Sequence, residues 1–275
     1  MKNFVSFLIF FFVIVSVNAQ SQYLISVRNK LGYGIPYASI SWGKITGISA
    51  NSIGFAKISN SSVIDTIYVS SVGYPIQTLR IKDLPTTADT ILVILSEQTV
   101  SLPPLTVFAK EKISEVGITE TETSFISNRY RNVIAALEVR QPSELCKIKS
   151  VSVFIHKKSQ LNVPFRIRIF NKNGLGLPEN DLLTTNVICE TYKKNEWNEI
   201  VLENYNVFID KKEFFLAIEW LNISDLQDNN DLQVGLTNKD NQVRTLFKLA
   251  NKPWKKLGIS GSKFDNIMLK ANLIN

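Results

Sequence analysis

Histidine is almost missing from this chain: of 275 residues only His156 is one. A catalytic zinc site of the peptidase type takes two His and a Glu and leaves one coordination position open, so that chemistry is excluded by count. A Ser-His-Asp arrangement needs a single His, and counting does not exclude it. However, His156 ends an apolar strand pattern, is followed by Lys157-Lys158, and no Gly-x-Ser-x-Gly elbow occurs anywhere. The sequence therefore places His156 as a strand-end side chain at the surface. Cysteine is nearly as scarce, with Cys146 and Cys189 alone. An oxidising compartment permits these two to pair, and two separately buried thiols fit the same sequence. Spacing does not choose between them, because a bridge depends on the Cα atoms lying roughly 4.4–6.8 Å apart. Beyond residue 19 no apolar run reaches the roughly 20 residues that span a bilayer, so no transmembrane segment is expected in the remainder.

The one long apolar stretch is at the start. Lys2 supplies a positive end, Phe4 to Val15 an apolar core, and Val17-Asn18-Ala19 small residues for cleavage. This is the pattern of a secretory signal peptide cut between Ala19 and Gln20. No Cys follows the cut, which closes the lipoprotein route. The rest is expected in the periplasm, on the outer-membrane surface or secreted. Its positive charge, +7 over the full chain, is unevenly spread. Beyond Gln242, Arg244, Lys248, Lys252, Lys255, Lys256, Lys263 and Lys270 stand against Asp265 alone. Such a region attracts anionic polysaccharide or lipid headgroups, or serves as a solvated face that keeps the protein soluble. Export removes nucleic acid as a partner.

Period-2 apolar alternation bounded by Gly, Pro, Asn and Ser runs through the chain, which is strand and turn chemistry. The first block holds Ile25-Ser26-Val27, Ala38-Ser39-Ile40-Ser41, Gly54 to Ile58, Asp65 to Tyr74 and the continuous apolar run Ile91 to Ser96. Within it lie Gly34-Ile35-Pro36-Tyr37-Ala38-Ser39-Ile40, Asn51-Ser52-Ile53-Gly54-Phe55 and Val72-Gly73-Tyr74. In order and content these resemble the carboxypeptidase-like regulatory domain, a module common in the Bacteroidetes envelope. The resemblance implies a seven-stranded, prealbumin-like sandwich over residues 20–98, and it implies no ligand. Residues 99–128, with Leu102-Pro103-Pro104-Leu105 followed by a polar tract, read as a linker or irregular entry.

Residues 129–275 carry a second series of strand-like runs, among them Val133 to Val139, Ile148 to Ile155, Phe165 to Phe170, Phe214 to Leu221 and Leu232 to Leu236. Their spacing predicts a second β-sandwich of jelly-roll type, so the fold class is all-β. This half also looks like the jelly-roll modules that accompany such regulatory domains, themselves similar in layout to carbohydrate-binding sandwiches. The regular ten-residue amphipathic strands and aromatic girdles of an outer-membrane barrel are missing, so a receptor barrel is not expected.

Candidate chemistry in this half is thin. Glu190, Glu196, Glu199 and Glu219 are carboxylates of the kind a glycoside hydrolase pairs. Glu219 beside Trp220 is the most suggestive, but strand alternation puts Phe215, Ala217 and Glu219 on one face and Phe214, Leu216, Ile218 and Trp220 on the other. Trp220 then belongs to the core rather than to a sugar platform. Asp225, Asp228, Asn229, Asn230 and Asp231 offer oxygen ligands to calcium, without the EF-hand spacing, and a hydrophilic turn explains them equally. Trp254, flanked by Lys255 and Lys256 in a loop, is the candidate partner surface, the alternative being a cap on the sandwich. The expectation is a non-catalytic exported envelope protein that acts in adhesion, scaffolding or protein interaction and needs no metal or cofactor. Its partner would be an envelope protein or polysaccharide. A carbohydrate-binding module is the alternative reading, and a hydrolase a weaker one.

Overall fold

Alternating side chains give each strand one apolar face, and the chain buries these faces by stacking sheets in two successive sandwich-like units. The computed structural model describes residues 22–43, 46–59, 64–83, 90–97, 112–120, 124–127, 133–143, 145–223, 231–237, 244–249, 252–257 and 266–275. The stretch expected as a signal peptide, with Ala19 and Gln20 at its expected cut, and Asp225, Asp228, Asn229 and Asn230, lie outside these residues. Among the described residues there is no α-helix, only two short 3-10 turns.

The first unit has strands β1 (Gln22–Asn29), β2 (Ser39–Trp42), β3 (Thr46–Ser49), β4 (Phe55–Ser59), β5 (Thr66–Ser71), β6 (Tyr74–Arg80) and β7 (Thr90–Leu95). They form a sheet of order β4-β1-β7 facing a sheet of order β3-β2-β5-β6. Ile25, Val27, Ile40, Ile67, Val69 and Val93 fill the space between. The intervening outward positions of the four-stranded sheet carry hydroxyls, with Ser39 opposite Ser70, Ser41 opposite Tyr68, and Tyr68 opposite Thr78.

The second unit runs through β8 (Ile113–Gly117), β9 (Ser124–Ser127), β10 (Val133–Arg140), β11 (Cys146–Ile155), β12 (Pro164–Lys172), β13 (Pro178–Asp181), β14 (Val187–Glu190) and β15 (Glu196–Val201). It continues with β16 (Phe208–Ile209), β17 (Glu213–Trp220), β18 (Gln233–Thr237), β19 (Thr245–Leu249), β20 (Lys255–Lys256), β21 (Asn266–Ile267) and β22 (Leu269–Ile274). One sheet has the order β13-β12-β17-β10-β19-β20 with β14 beside β12, and the other β21-β18-β11-β22-β8 with β15 and β16 on β11 and β9 on β18. Phe165, Ile167, Phe214, Leu216, Ile218 and Trp220 point into the shared core, and Trp220 Nε1 donates to Leu232 O at 3.0 Å.

Two expectations change here. Part of the span read as a linker is strand: β8 pairs with β22 and β9 with β18, so both belong to the second unit. Both strands are short and set Val116 and Ile126 on the core amid Ser and Glu neighbours, so their alternation is too brief to stand out from the polar span around them. His156 is buried rather than exposed, because Phe125 of β9 stacks on it at a centroid distance of 4.5 Å.

Candidate functional site

The outward face of the β12-β17-β10-β19 sheet is where the two units meet. Register sets Arg166, Glu219, Ile134 and Lys248 side by side in one row across four strands. The adjacent row holds Arg168, Ala217, Ala136 and Leu246. Ala217 and Glu219 do share a face, as alternation requires, yet β17 is buried on both sides. The outward side is buried because the hydroxyl-bearing sheet of the first unit covers this end of it.

Charged groups hold that contact. Arg166 Nη1 donates to Glu219 Oε2 at 2.8 Å, with side-chain exposures of 1% and 4%. Ser39 of the first unit donates to Glu219 Oε1 at 2.7 Å, and Arg166 Nη2 reaches back to the carbonyl of Tyr37. Arg168 bridges Asp181 at 2.8 Å and Glu219 at 3.4 Å. Burial works to raise the Glu219 carboxyl, but Arg166, Arg168 and the Ser39 hydroxyl outweigh it and hold the group below the ordinary carboxylate range. Main-chain contacts add to the seam: Ser49 N donates to Asn222 O at 2.6 Å, and Asn222 Nδ2 to Gly47 O at 3.0 Å. Asn186 Nδ2 donates to Ser71 Oγ at 2.9 Å, and Val72 packs into the second unit's core.

Beyond this seam the faces diverge and leave a cleft of about 640 Å³. Ser41, Tyr68, Ser70 and Thr78 line one wall, and Arg168, Phe170, Lys248 and Trp254 line the other. Phe170 and Trp254 meet edge to face at 5.8 Å. The guanidinium of Arg168 sits 4.8 Å over Phe170, and Lys248 Nζ sits 5.8 Å over Trp254. Burial and the neighbouring Arg168 push the Lys248 ammonium down from its usual range, and Glu219 offsets them only in part.

Trp254 stands half-buried, folded back over the outward cluster of Ala136, Phe170, Phe215, Ala217 and Leu246 as the capping alternative has it, and it also lines the cleft wall. Lys255 and Lys256 are exposed on β20, paired with Phe247 and Leu246, and are not among the lining residues. Of the other candidates, Glu199 accepts from Ser150 at 2.6 Å and Glu196 sits at the surface 3.2 Å from Lys193. Asp231 is engaged by Gln233, and among the described residues no cluster of His, Cys, Asp and Glu is arranged to hold a metal ion. The cysteines are free thiols in different sheets, Cys146 on β11 and Cys189 on β14, so the bridged alternative is not the one observed. Cys146 Sγ donates to Asn275 Oδ1 at 2.9 Å, and burial pushes the Cys189 thiol up to about 12. Arg166 and Arg168 were missed by sequence reasoning, and Lys248 was named only as one of the basic residues beyond Gln242. Their signal was the appearance of cations at outward strand positions whose neighbours, such as Phe170, Ala217 and Leu246, are apolar.

No protein-family model and no curated protein matches this chain. Solved structures resemble it only distantly. The cysteine protease and lectin-like domains of Cwp84, a surface layer associated protein of Clostridium difficile, are 12% identical over 53% of this chain, with a TM-score of 0.40. The match spans 32% of that protein's chain. BcpA, the major pilin subunit of Bacillus cereus, is 12% identical over 86% of this chain and 66% of its own, with a TM-score of 0.20. The infectious bursal disease virus Gx strain structure gives 12% identity over 92% of this chain and 58% of its own, with a TM-score of 0.28. At these scores the likenesses carry no functional argument, and the reading rests on the cleft itself.

Proposed function

We propose that this is an exported, non-catalytic binding protein of the cell envelope, acting in adhesion or scaffolding. In this reading a carboxypeptidase-like regulatory domain is fastened to a jelly-roll-like sandwich, and ligands enter between them. One observation carries it: two outward sheet faces, one of hydroxyls and one of aromatics and cations, are held apart around a 640 Å³ cleft. That volume falls within the roughly 300–1,000 Å³ usual for ligand sites.

The carboxylate at the cleft floor supports binding over catalysis. A general acid needs its pKa raised toward the working pH. Glu219 is shifted the other way and is enclosed by Arg166, Arg168 and Ser39, so its chemistry is spent on joining the units. Export is supported by the apolar leader ahead of Gln20, and among the described residues no helix is long and apolar enough to cross a membrane.

Two measurements test the reading together. Mass spectrometry of native protein should place the N-terminus at or near Gln20, and purified protein should sediment with envelope fractions of the producing cells. An intact Met1 combined with no sedimentation would overturn the proposal.

A further inference from the structure

Lys248 differs from the other cations on its sheet face. Arg140, Lys172 and Arg244 each reach Glu138 or Glu213, Arg166 reaches Glu219, and Arg168 reaches both Glu219 and Asp181. Lys248 is half-buried, and among the described residues its ammonium sits over the Trp254 ring. Its charged neighbours are Arg168 and Glu219, both already committed to each other. Glu179 lines the same cleft but is exposed at its rim. Among the described residues, Lys248 is thus a cleft cation that is partly desolvated and has no ion-pair partner, an arrangement that is costly unless something neutralises it.

We infer that the cleft binds an acidic saccharide, with the sugar carboxylate on Lys248, a pyranose face against Trp254, and ring hydroxyls on the wall of Ser70, Tyr68 and Thr78. This rests on the binding-protein reading above and names its ligand class. Each part answers a feature of the site. The aromatic ring suits the apolar face of a sugar, and the opposed hydroxyls both donate and accept, as a polyol requires. A carboxylate on the ammonium makes a charge-assisted hydrogen bond, about twice as strong as a neutral one. Because Glu219 and Asp181 neutralise Arg166 and Arg168, Lys248 is the one interior cation left over among the described residues, with Glu179 at the rim, which fits one carboxylate per sugar unit better than a phosphate dianion.

Calorimetric titration of the full chain with trigalacturonic acid and with the neutral galactose trimer tests the inference. The acidic trimer should bind at least about tenfold more tightly than the neutral one. Lys248→Met should remove that preference while leaving binding of the neutral trimer and the unfolding temperature unchanged. Trp254→Ala should weaken both sugars. Lys211→Ser with Lys212→Ser, which removes the same kind of charge from an exposed turn, should change neither. The Trp254 indole N–H resonance of the unaltered protein should also shift on adding trigalacturonic acid, a readout that needs no variant. An unshifted indole, or a Lys248→Met protein that keeps the preference, would overturn the site. If trigalacturonic acid does not bind while the protein still sediments with envelopes, the saccharide inference fails and the binding-protein reading stands. If neither occurs and the native protein keeps Met1, both fall.

Discussion

A Cβ placed on Gly73 would stand 2.4 Å from the carbonyl oxygen of Thr184, closer than real Cβ contacts come. Gly73 turns the chain between β5 and β6 with φ at +82°, and Thr184 belongs to the other unit. One glycine therefore meets two demands, a left-handed turn and a close approach of two backbones. Gly43, at φ +60° with nothing within 4 Å, meets only the first.

Comparing Gly73→Ala with Gly43→Ala isolates the second demand. Both carry backbone strain, and Gly73→Ala should lose about 1–3 kcal/mol more, the usual cost of overpacking. Urea unfolding of the full chain measures this. Equal losses would mean that the seam near Thr184 relaxes freely.

Glu219→Gln should destabilise strongly, because it leaves the Arg166 guanidinium buried without its counter-charge. Removing one partner of a buried pair costs about 3–5 kcal/mol, whereas Glu196→Gln at the surface should cost about 0–1 kcal/mol. Arg166→Met together with Glu219→Leu should recover much of the loss, since the desolvation penalty disappears with both charges. A double variant no better than Glu219→Gln would show that Ser39 and Tyr37 contribute more than the ion pair.

Acid should weaken the fold through Glu213 as well. Hydrogen bonds from Arg140 and Lys172 lower its carboxyl from 4.5 to about 2. The unfolded chain then takes up the proton first, so the stabilisation is complete above pH 4.5 and is lost as pH falls toward 2. The urea midpoint should drop between pH 6 and pH 3, and by less in Glu213→Gln. A carboxyl NMR titration of Glu213 with its midpoint near 4.5 would refute the assignment.

The thiols give a direct check on their pairing. With both cysteines free and the Cys189 thiol pushed up to about 12, native protein at pH 8 should react slowly with iodoacetamide. Unfolding in urea without reductant should expose both thiols at once. An intact mass short of two hydrogens would mean that the native protein is bridged after all.

Strand alternation by itself determined much of this molecule. It identified the all-β class and put Phe214, Leu216, Ile218 and Trp220 in a core, while the run read on through Val72-Gly73-Tyr74 is broken by a turn between β5 and β6. It could do so because a strand sends neighbouring side chains to opposite faces, a rule that operates within a few residues. It also showed Glu219 on the face opposite that core. What covers that face was decided elsewhere, since Ser39 lies 180 positions away in sequence. Arg166, Arg168, Lys248 and Trp254 look like solvated outward residues until a second sheet docks on them. Strands β8 and β9 stayed hidden because five and four residues give too brief an alternation to stand out from the polar span around them, and with β9 unseen nothing placed Phe125 over His156. Local periodicity is written residue by residue, whereas burial of a sheet's second face and the cleft beside it depend on which distant surface arrives there.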